Sequence, residues 1–129
     1  MSKALSTILY VEDEPDIRTV AQLALETVGG FTVKVCGNGE EALQAGPTFK
    51  PDLLLLDVMM PGMDGPTTLA ALRKDPSMKN TPVIFMTAKV QPSEIQHYRD
   101  MGALDVIAKP FNPMTLAEQV RSIWARTYG

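Results

Sequence analysis

The architecture of the chain is indicated most clearly by the segment Leu53-Leu54-Leu55-Leu56-Asp57-Val58-Met59-Met60-Pro61-Gly62. Four consecutive leucines predict a short strand that is buried on both faces, because a strand with one face in water alternates apolar and polar residues. The carboxylate of Asp57 follows the leucines directly. We therefore expect Asp57 at the rim of a buried sheet, where a carboxylate can take part in chemistry.

Further apolar segments of strand length recur along the chain, and helical patterns separate them. The predicted strands span residues 7–11, 31–36, 53–56, 82–86 and 106–108. Thr32-Val33-Lys34-Val35 alternates and therefore predicts an edge strand. Regular alternation of strands and helices predicts a parallel sheet with right-handed connections and helices on both faces. The expected fold class is α/β, built from five βα units.

The helices are predicted from apolar spacing and from residues typical of helix ends. Apolar side chains recur at helical spacing over residues 16–28, and Gly29-Gly30 predicts the end of that helix. Asn38 is the predicted N-cap of a short helix over residues 39–45, which Gly46-Pro47 would end. Asp64 precedes a third predicted helix, which stops near Asp75-Pro76. The last two are predicted over residues 92–101 and from Asn112-Pro113 onward.

Length and composition predict one domain and exclude several classes of protein. A chain of 129 residues with 45% hydrophobic and 21% charged residues is typical of a globular domain. The net charge of -3 and the lack of a Lys/Arg run argue against direct nucleic acid binding. Cys36 is the only cysteine, and the residues before the first strand are too few for a signal or membrane segment. We expect a cytoplasmic protein with a single domain over residues 1–129 and no output domain.

Five polar residues follow the predicted strands and would meet at one edge of the sheet. They are Glu12, Asp13, Asp57, Thr87 and Lys109. Ligands of open α/β sheets bind at the carboxyl ends of the strands. Three converging carboxylates repel one another unless a cation joins them, and this set of oxygen ligands favours Mg²⁺. With Mg²⁺ bound, Asp57 could act as a nucleophile toward a phosphoryl group, and Lys109 would face the phosphoryl oxygens.

Each of these residues also has an ordinary structural explanation. The acidic pair Glu12-Asp13 could be a solvated turn, and Asp57 could be a turn former. A threonine at position 87 could bond to nearby backbone, and Lys109 could point into solvent. The coincidence of all of these residue types at four strand ends favours phosphoacceptor chemistry.

Four motifs resemble those of the receiver domain of bacterial two-component response regulators, over essentially the whole chain. The first is the acidic segment Ile8-Leu9-Tyr10-Val11-Glu12-Asp13-Glu14-Pro15, and the second is the segment from Leu55 to Gly65 around Asp57. The third is Met86-Thr87-Ala88, and the fourth is Ala108-Lys109-Pro110-Phe111. The resemblance implies a flavodoxin-like fold with strand order 2-1-3-4-5.

The resemblance also implies a role for each site residue. Asp57 would accept phosphate from the phosphohistidine of a sensor histidine kinase or histidine phosphotransfer protein. Mg²⁺ would be bound by Glu12, Asp13, Asp57 and the backbone carbonyl of Met59. Lys109 would contact the phosphoryl oxygens, and Thr87 would turn toward them and switch the surface formed by the fourth helix, fifth strand and fifth helix. Such a protein is not an enzyme in the usual sense, binds an unknown downstream protein, and is expected to be a monomer or weak dimer.

Two features depart from the family pattern. Val106 occupies a position in the fifth strand where many receivers carry a switching Tyr or Phe, and Tyr98 is a candidate to replace it. Met59 and Lys89 occupy the variable positions that flank the phosphoryl site. We expect these two residues to tune the lifetime of the phosphate.

Two other functions are compatible with parts of the pattern. A small phosphotransferase or phosphatase with an aspartyl nucleophile, of the haloacid dehalogenase type, needs a second Asp where this chain has Met59. A flavin-binding electron carrier needs a phosphate-binding loop after the first strand, where Glu12-Asp13-Glu14 is acidic. Both are disfavoured, and the enzyme remains the alternative.

Overall fold

Five parallel strands form a single sheet in the order β2-β1-β3-β4-β5 in the computed structural model, which describes residues 4–128. The strands are β1 (Thr7–Val11), β2 (Thr32–Cys36), β3 (Leu53–Asp57), β4 (Val83–Thr87) and β5 (Asp105–Ala108). The helices are α1 (Pro15–Leu23), α2 (Gly39–Phe49), α3 (Gly65–Leu72), α4 (Pro92–Asp100) and α5 (Leu116–Tyr128). The predicted α/β class and the strand order implied by the resemblance are both confirmed.

The sheet separates two apolar clusters, one on each face. β3 lies between β1 and β4, and all of its residues are buried, as the run of leucines predicts. Side chains alternate along a strand, so Leu53 and Leu55 join one cluster while Leu54 and Leu56 join the other. The first cluster includes residues of α1 and α5, and the second includes residues of α2 and α3. Because β3 packs against an apolar cluster on each face of the sheet, its position is well defined, and so is the position of Asp57 at its end.

The first helix continues beyond α1 as a π-helix. Residues Ala24–Val28 adopt this wider turn, and the amide of Gly29 donates to the carbonyl of Ala24 at 3.1 Å. The predicted helical segment 16–28 is therefore confirmed, with a change of geometry in its last turn. Gly30 has a φ of 74°, which suits the predicted end of the helix.

The prediction that the second helix ends at Gly46-Pro47 is wrong. α2 continues to Phe49 with Pro47 inside it, and ends at Lys50, whose φ is 51°. Gly46 is buried, and a Cβ at this position would lie only 3.2 Å from Leu72 Cδ2 on α3. Close packing between α2 and α3 thus overrides the local preference of the two residues to end a helix. The predicted cap is confirmed, because Asn38 Oδ1 accepts from the Glu41 amide at 2.9 Å.

The boundaries of the remaining helices differ from prediction by a few residues. α3 ends at Leu72, and a separate short 3₁₀ turn spans Pro76–Met78. α5 begins at Leu116 rather than at Pro113. The longest of these helices has 13 residues. Within residues 4–128, no helix combines the length and the apolar character that crossing a bilayer requires.

Candidate functional site

Three carboxylates meet where β1 and β3 end. The strands are paired with Val11 opposite Leu56, so the residues that follow reach the same edge of the sheet. One oxygen each from Glu12, Asp13 and Asp57 lies within 4.8 Å of the others. Glu12 is fully buried and Asp57 is 2% exposed, whereas Asp13 is half-buried. The predicted convergence of the acids is therefore observed, with an opening on the side of Asp13.

Lys109 supplies a positive charge to this cluster from the end of β5. Its Nζ lies 2.8 Å from Glu12 Oε1 and 3.2 Å from Asp57 Oδ1. Burial opposes the charged form of Lys109, but the hydrogen bond to Glu12 and the attraction of both carboxylates outweigh it and raise the pKa of the ammonium. Lys109 therefore remains charged and joins the site, contrary to the alternative of a solvent-facing lysine.

The carboxylates remain crowded even with Lys109 present. Burial, followed by repulsion from Glu12, raises the pKa of Asp57 to about 7, although Lys109 acts in the opposite direction. A single ammonium thus compensates only part of the negative charge. Carboxylate oxygens at this spacing are a suitable set for a hard divalent cation, which binds oxygen ligands and retains waters at its other positions. The residues present therefore fit Mg²⁺.

Glu12 is held in place by bonds to its main chain as well as its side chain. Its amide donates to the carbonyl of Cys36 at 3.1 Å, and its carbonyl accepts from Arg18 Nη1 at 2.8 Å. Its second carboxylate oxygen, Oε2, accepts from the Glu14 amide at 3.2 Å. Arg18 was not predicted as a site residue, because its position on an amphipathic helix is typical of an ordinary polar residue.

Gly65 packs directly against the backbone of the strand that carries Asp57. A Cβ at position 65 would lie 2.5 Å from the Asp57 carbonyl oxygen and 3.0 Å from Val58 Cα. The Gly65 amide also donates to the Val58 carbonyl at 3.0 Å. Only glycine fits this approach, which sets the path of the loop after Asp57. Gly65 lies in the second motif, but its place in the sequence did not predict this role.

Thr87 ends β4, next to the strand of Asp57. It is 2% exposed, and its Oγ1 accepts from the Lys89 amide at 3.1 Å. A hydrogen bond between the Thr87 hydroxyl and nearby backbone is the structural explanation given above for this residue. Met59 lies two residues beyond Asp57 with a side chain that is 67% exposed.

The aromatic group near β5 comes from α4. No residue of α4 is buried, and the ring of Tyr98 packs against Phe85 of β4 with centroids 5.1 Å apart. Val106 is paired with Phe85 across the neighbouring strands and packs against the same cluster. The small side chain on β5 and the large one on α4 thus lie together on this face. Burial, and then the charges of Glu94 and Asp64, raise the pKa of Tyr98.

An exposed apolar patch lies beside the acidic site, along α1 and the loop before α5. A groove of about 250 Å³ next to Lys109 is lined by Ile17, Val20, Phe111 and Pro113. Large apolar side chains continue from this groove, and several are strongly exposed: Val20, Leu23, Val28 and Met114. We call these four residues the α1 patch. Isolated exposed apolar residues are common, but a cluster of them is typical of a contact surface.

Comparison with known proteins identifies the family. Residues 8–121 match the family model described as response regulator receiver domain. The DNA-binding response regulator MtrA of Mycolicibacterium smegmatis is 36% identical over 115 residues, which cover 89% of this chain and 49% of that protein. The alkaline phosphatase synthesis transcriptional regulatory protein PhoP of Bacillus subtilis is 38% identical over 120 residues, covering 93% and 49% respectively. The chain spans about half the length of these curated relatives.

Solved structures agree with the sequence comparison. The chemotaxis protein CheY4 of Vibrio cholerae superposes with a TM-score of 0.83 at 31% identity, covering 93% of this chain and 99% of that one. A putative response regulator from Chloroflexus aurantiacus superposes with a TM-score of 0.81 at 36% identity, covering 95% and 100%. The predicted flavodoxin-like fold is confirmed by these structures and by the order of the strands. The chain belongs to the family of response regulator receiver domains.

Proposed function

We propose that the chain is a phosphoacceptor of a two-component or phosphorelay system, with Asp57 as the residue that is phosphorylated. The observation that carries this proposal is the position of Asp57, nearly buried at the end of a central strand with Glu12, Asp13 and Lys109 around it. An oxygen of Asp57 would form a bond to phosphorus while the P–N bond of a phosphohistidine breaks. The electron pair of that bond leaves with the imidazole.

Magnesium would be held at the acidic edge of the sheet. We propose the carboxylates of Glu12, Asp13 and Asp57 and the backbone carbonyl of Met59 as the residues that bind it. The ion would supply charge neutralisation for the phosphoryl oxygens, which otherwise repel the carboxylates. Lys109 would contribute in the same direction, because its ammonium already lies between two of the acids.

The response to phosphorylation would pass through Thr87. A phosphoryl group adds a charge of roughly -1.5 to -2 and three acceptor oxygens. Thr87 would donate its hydroxyl to one of these oxygens, and its Oγ1 would give up the bond from the Lys89 amide. The loop that leads into α4 would move with it. Since no residue of α4 is buried, a shift of this helix would disturb few core contacts, and the surface of α4, β5 and α5 would change for an unknown downstream protein.

The phosphate donor would be a sensor histidine kinase or a histidine phosphotransfer protein. Its docking surface on this chain would be the α1 patch, which borders the opening near Lys109 and offers apolar area to a helix of the donor. The proposal includes a cytoplasmic location and no direct contact with nucleic acid. We do not propose an aspartyl phosphotransferase. Such an enzyme needs a general acid where this chain has Met59, and the exposed methionine side chain has no proton to donate.

The proposal is tested by labelling with a phosphohistidine donor in the presence of Mg²⁺. We expect a label that is stable to acid and labile to hydroxylamine in the wild type, and none in Asp57→Asn. Asp64→Asn is the matched control. Asp64 caps α3 by accepting from the Thr67 amide at 2.8 Å, a role that asparagine also fulfils, so this variant should label normally. Normal labelling of Asp57→Asn, or loss of label in both variants, would contradict the assignment.

A further inference from the structure

Tyr10 places a hydroxyl group beneath the acidic site without a hydrogen-bond partner. The side chain lies on β1, is fully buried, and packs its ring in the cluster with α1 and α5. Among the side chains of the described residues, Tyr10 Oη is the buried polar atom that lacks a partner. Leaving a buried hydroxyl unpaired costs free energy, so a residue of this kind calls for an explanation. Phenylalanine would fill the same space without that cost.

The hydroxyl lies close to the residues that carry the proposed chemistry. Tyr10 and Glu12 are two positions apart on one chain segment, so their side chains leave the sheet on the same face. Burial is the main cause of a raised pKa of the phenol; the charges of Glu12 and Asp57 add to the rise, and so does the closeness of the hydroxyl to the Glu12 side chain. Tyr10 and Glu12 are thus neighbours, although they do not form a hydrogen bond of ordinary geometry.

Each carboxylate oxygen of Glu12 already accepts one hydrogen bond from another residue in this structure. Oε1 accepts from Lys109 Nζ at 2.8 Å, and Oε2 accepts from the Glu14 amide at 3.2 Å. The ammonium of Lys109 is shared with Asp57, which is 3.2 Å away. A phosphoryl group on Asp57 would offer Lys109 stronger acceptors than the carboxylate oxygen of Glu12. Any movement of Lys109 toward that group removes the hydrogen bond that Oε1 of this buried carboxylate accepts in the unmodified protein.

We propose that Tyr10 is a positioning residue whose hydroxyl donates to Glu12 when Lys109 turns to the phosphoryl group. The exchange keeps the buried carboxylate of Glu12 hydrogen-bonded in both states, and it satisfies the hydroxyl only in the phosphorylated state. Tyr10 therefore stabilises the phosphorylated state relative to the unmodified one. This inference rests on the proposed function, since it needs Asp57 as the phosphorylated residue.

The test compares Tyr10→Phe with Tyr128→Phe, a matched removal of a hydroxyl from the end of α5, where Tyr128 packs against Trp124. Beryllofluoride with Mg²⁺ serves as the phosphoryl mimic, and its affinity is measured by calorimetry. Loss of one hydrogen bond to a charged group should weaken binding to Tyr10→Phe by about tenfold. Tyr128→Phe should bind as the wild type does. The unmodified Tyr10→Phe protein should resist urea at least as well as the wild type, because its hydroxyl has no partner there.

A second measurement uses the wild type alone. With ¹³C at Cζ of tyrosine, the NMR signal of Tyr10 should move when beryllofluoride binds, while that of Tyr128 stays in place. An unmoved Tyr10 signal, or an unchanged affinity of Tyr10→Phe, would overturn the role of Tyr10. If the wild type itself binds no beryllofluoride and accepts no phosphate, the proposed function fails instead, so the two failures are distinguishable.

Discussion

Lys109 and Asp57 come from strands that are not neighbours, yet Lys109 Nζ lies 3.2 Å from Asp57 Oδ1. β4 separates their strands, and the ammonium reaches across its end. The same ammonium is 2.8 Å from Glu12 Oε1. In the unmodified protein, Lys109 thus supplies part of the positive charge that a divalent cation would bring to the carboxylates.

The first prediction concerns competition between Lys109 and Mg²⁺. Lys109→Met removes a positive charge that both repels the ion and stabilises the carboxylates. We expect this variant to bind Mg²⁺ about threefold to tenfold more tightly, since charges a few ångströms apart interact by roughly a kilocalorie per mole or more near a protein surface. Calorimetric titration measures the change. Lys79→Met, which removes an exposed lysine next to the short 3₁₀ turn, is the control and should bind Mg²⁺ nearly as the wild type does. Weaker binding to Lys109→Met would show that the lysine organises the ligands instead.

The second prediction concerns stability and pH. The pKa of Asp57 is raised from 3.8 to about 7 in the folded protein, chiefly by burial and then by Glu12. At pH values between 3.8 and about 7, Asp57 is protonated in the folded protein and ionised in the unfolded chain. The free energy of unfolding therefore falls as the pH rises toward 7, and the contribution of the protonated acid is gone above about pH 7. Asp57→Asn lacks this titration. In metal-free buffer at pH 8 we expect it to be more stable than the wild type by about 1–2 kcal/mol, allowing for screening and for Lys109.

Urea unfolding at two pH values measures this effect. At pH 4 the wild-type Asp57 is largely protonated when folded, so the advantage of Asp57→Asn should nearly vanish. Added Mg²⁺ should stabilise the wild type at pH 8 and leave the variant little changed. An advantage of equal size at both pH values would mean that the asparagine acts through packing and not through charge.

The fold was predictable because the strongest signals lie in the strands. The run Leu53 to Leu56 identifies a strand buried on both faces, and the alternation from Thr32 to Val35 identifies an edge. Both signals depend on burial, which tertiary structure preserves. The end of α2 was mispredicted, because Gly46 and Pro47 favour a helix end locally while packing against Leu72 and Met78 favours continuation. Only contacts between helices decide such a case.

The site was predictable at the level of residue types and less so at the level of contacts. Glu12, Asp57 and Lys109 follow from their places after the strands, because parallel strands bring those ends together. Arg18 and Gly65 hold the site through backbone contacts, which leave little trace in residue spacing. The α1 patch was also missed. Its leucine and valines belong to an amphipathic helix. The sequence does not show how much of the apolar face of that helix is left exposed when the helix packs on the sheet.

The third prediction concerns the α1 patch. Leu23→Asp places a charge where an apolar side chain is 58% exposed, so folding should be affected little. Phosphotransfer from a protein donor should slow by about tenfold or more, since a charge in the centre of an apolar contact must be desolvated. Labelling by a small acyl phosphate, which needs no docking surface, should keep its rate. Met101→Asp, at the far end of α4, is the control. Equal loss of rate with both kinds of donor would point to damage at Asp57 and not to docking.

The last prediction concerns the attachment of α4. None of its residues is buried, and the ring of Tyr98 packs against Phe85 at a centroid distance of 5.1 Å. Tyr98→Ala removes this contact, so α4 should open locally far more often while the strands stay intact. Hydrogen exchange of the α4 amides should accelerate by about tenfold or more, because truncation of a packed aromatic ring costs over a kilocalorie per mole.

His97→Ala provides the matched control for Tyr98. His97 lies next to Tyr98 with ring centroids 5.3 Å apart, but its side chain is exposed and does not reach Phe85 in the core. Its removal should leave the exchange of α4 nearly unchanged. If Tyr98→Ala also leaves it unchanged, the helix is held by its backbone connections, and Tyr98 does not take the place of an aromatic residue at Val106. If exchange accelerates, the phosphate-dependent change in α4 should be weaker in Tyr98→Ala, because an already loosened helix has less order to lose.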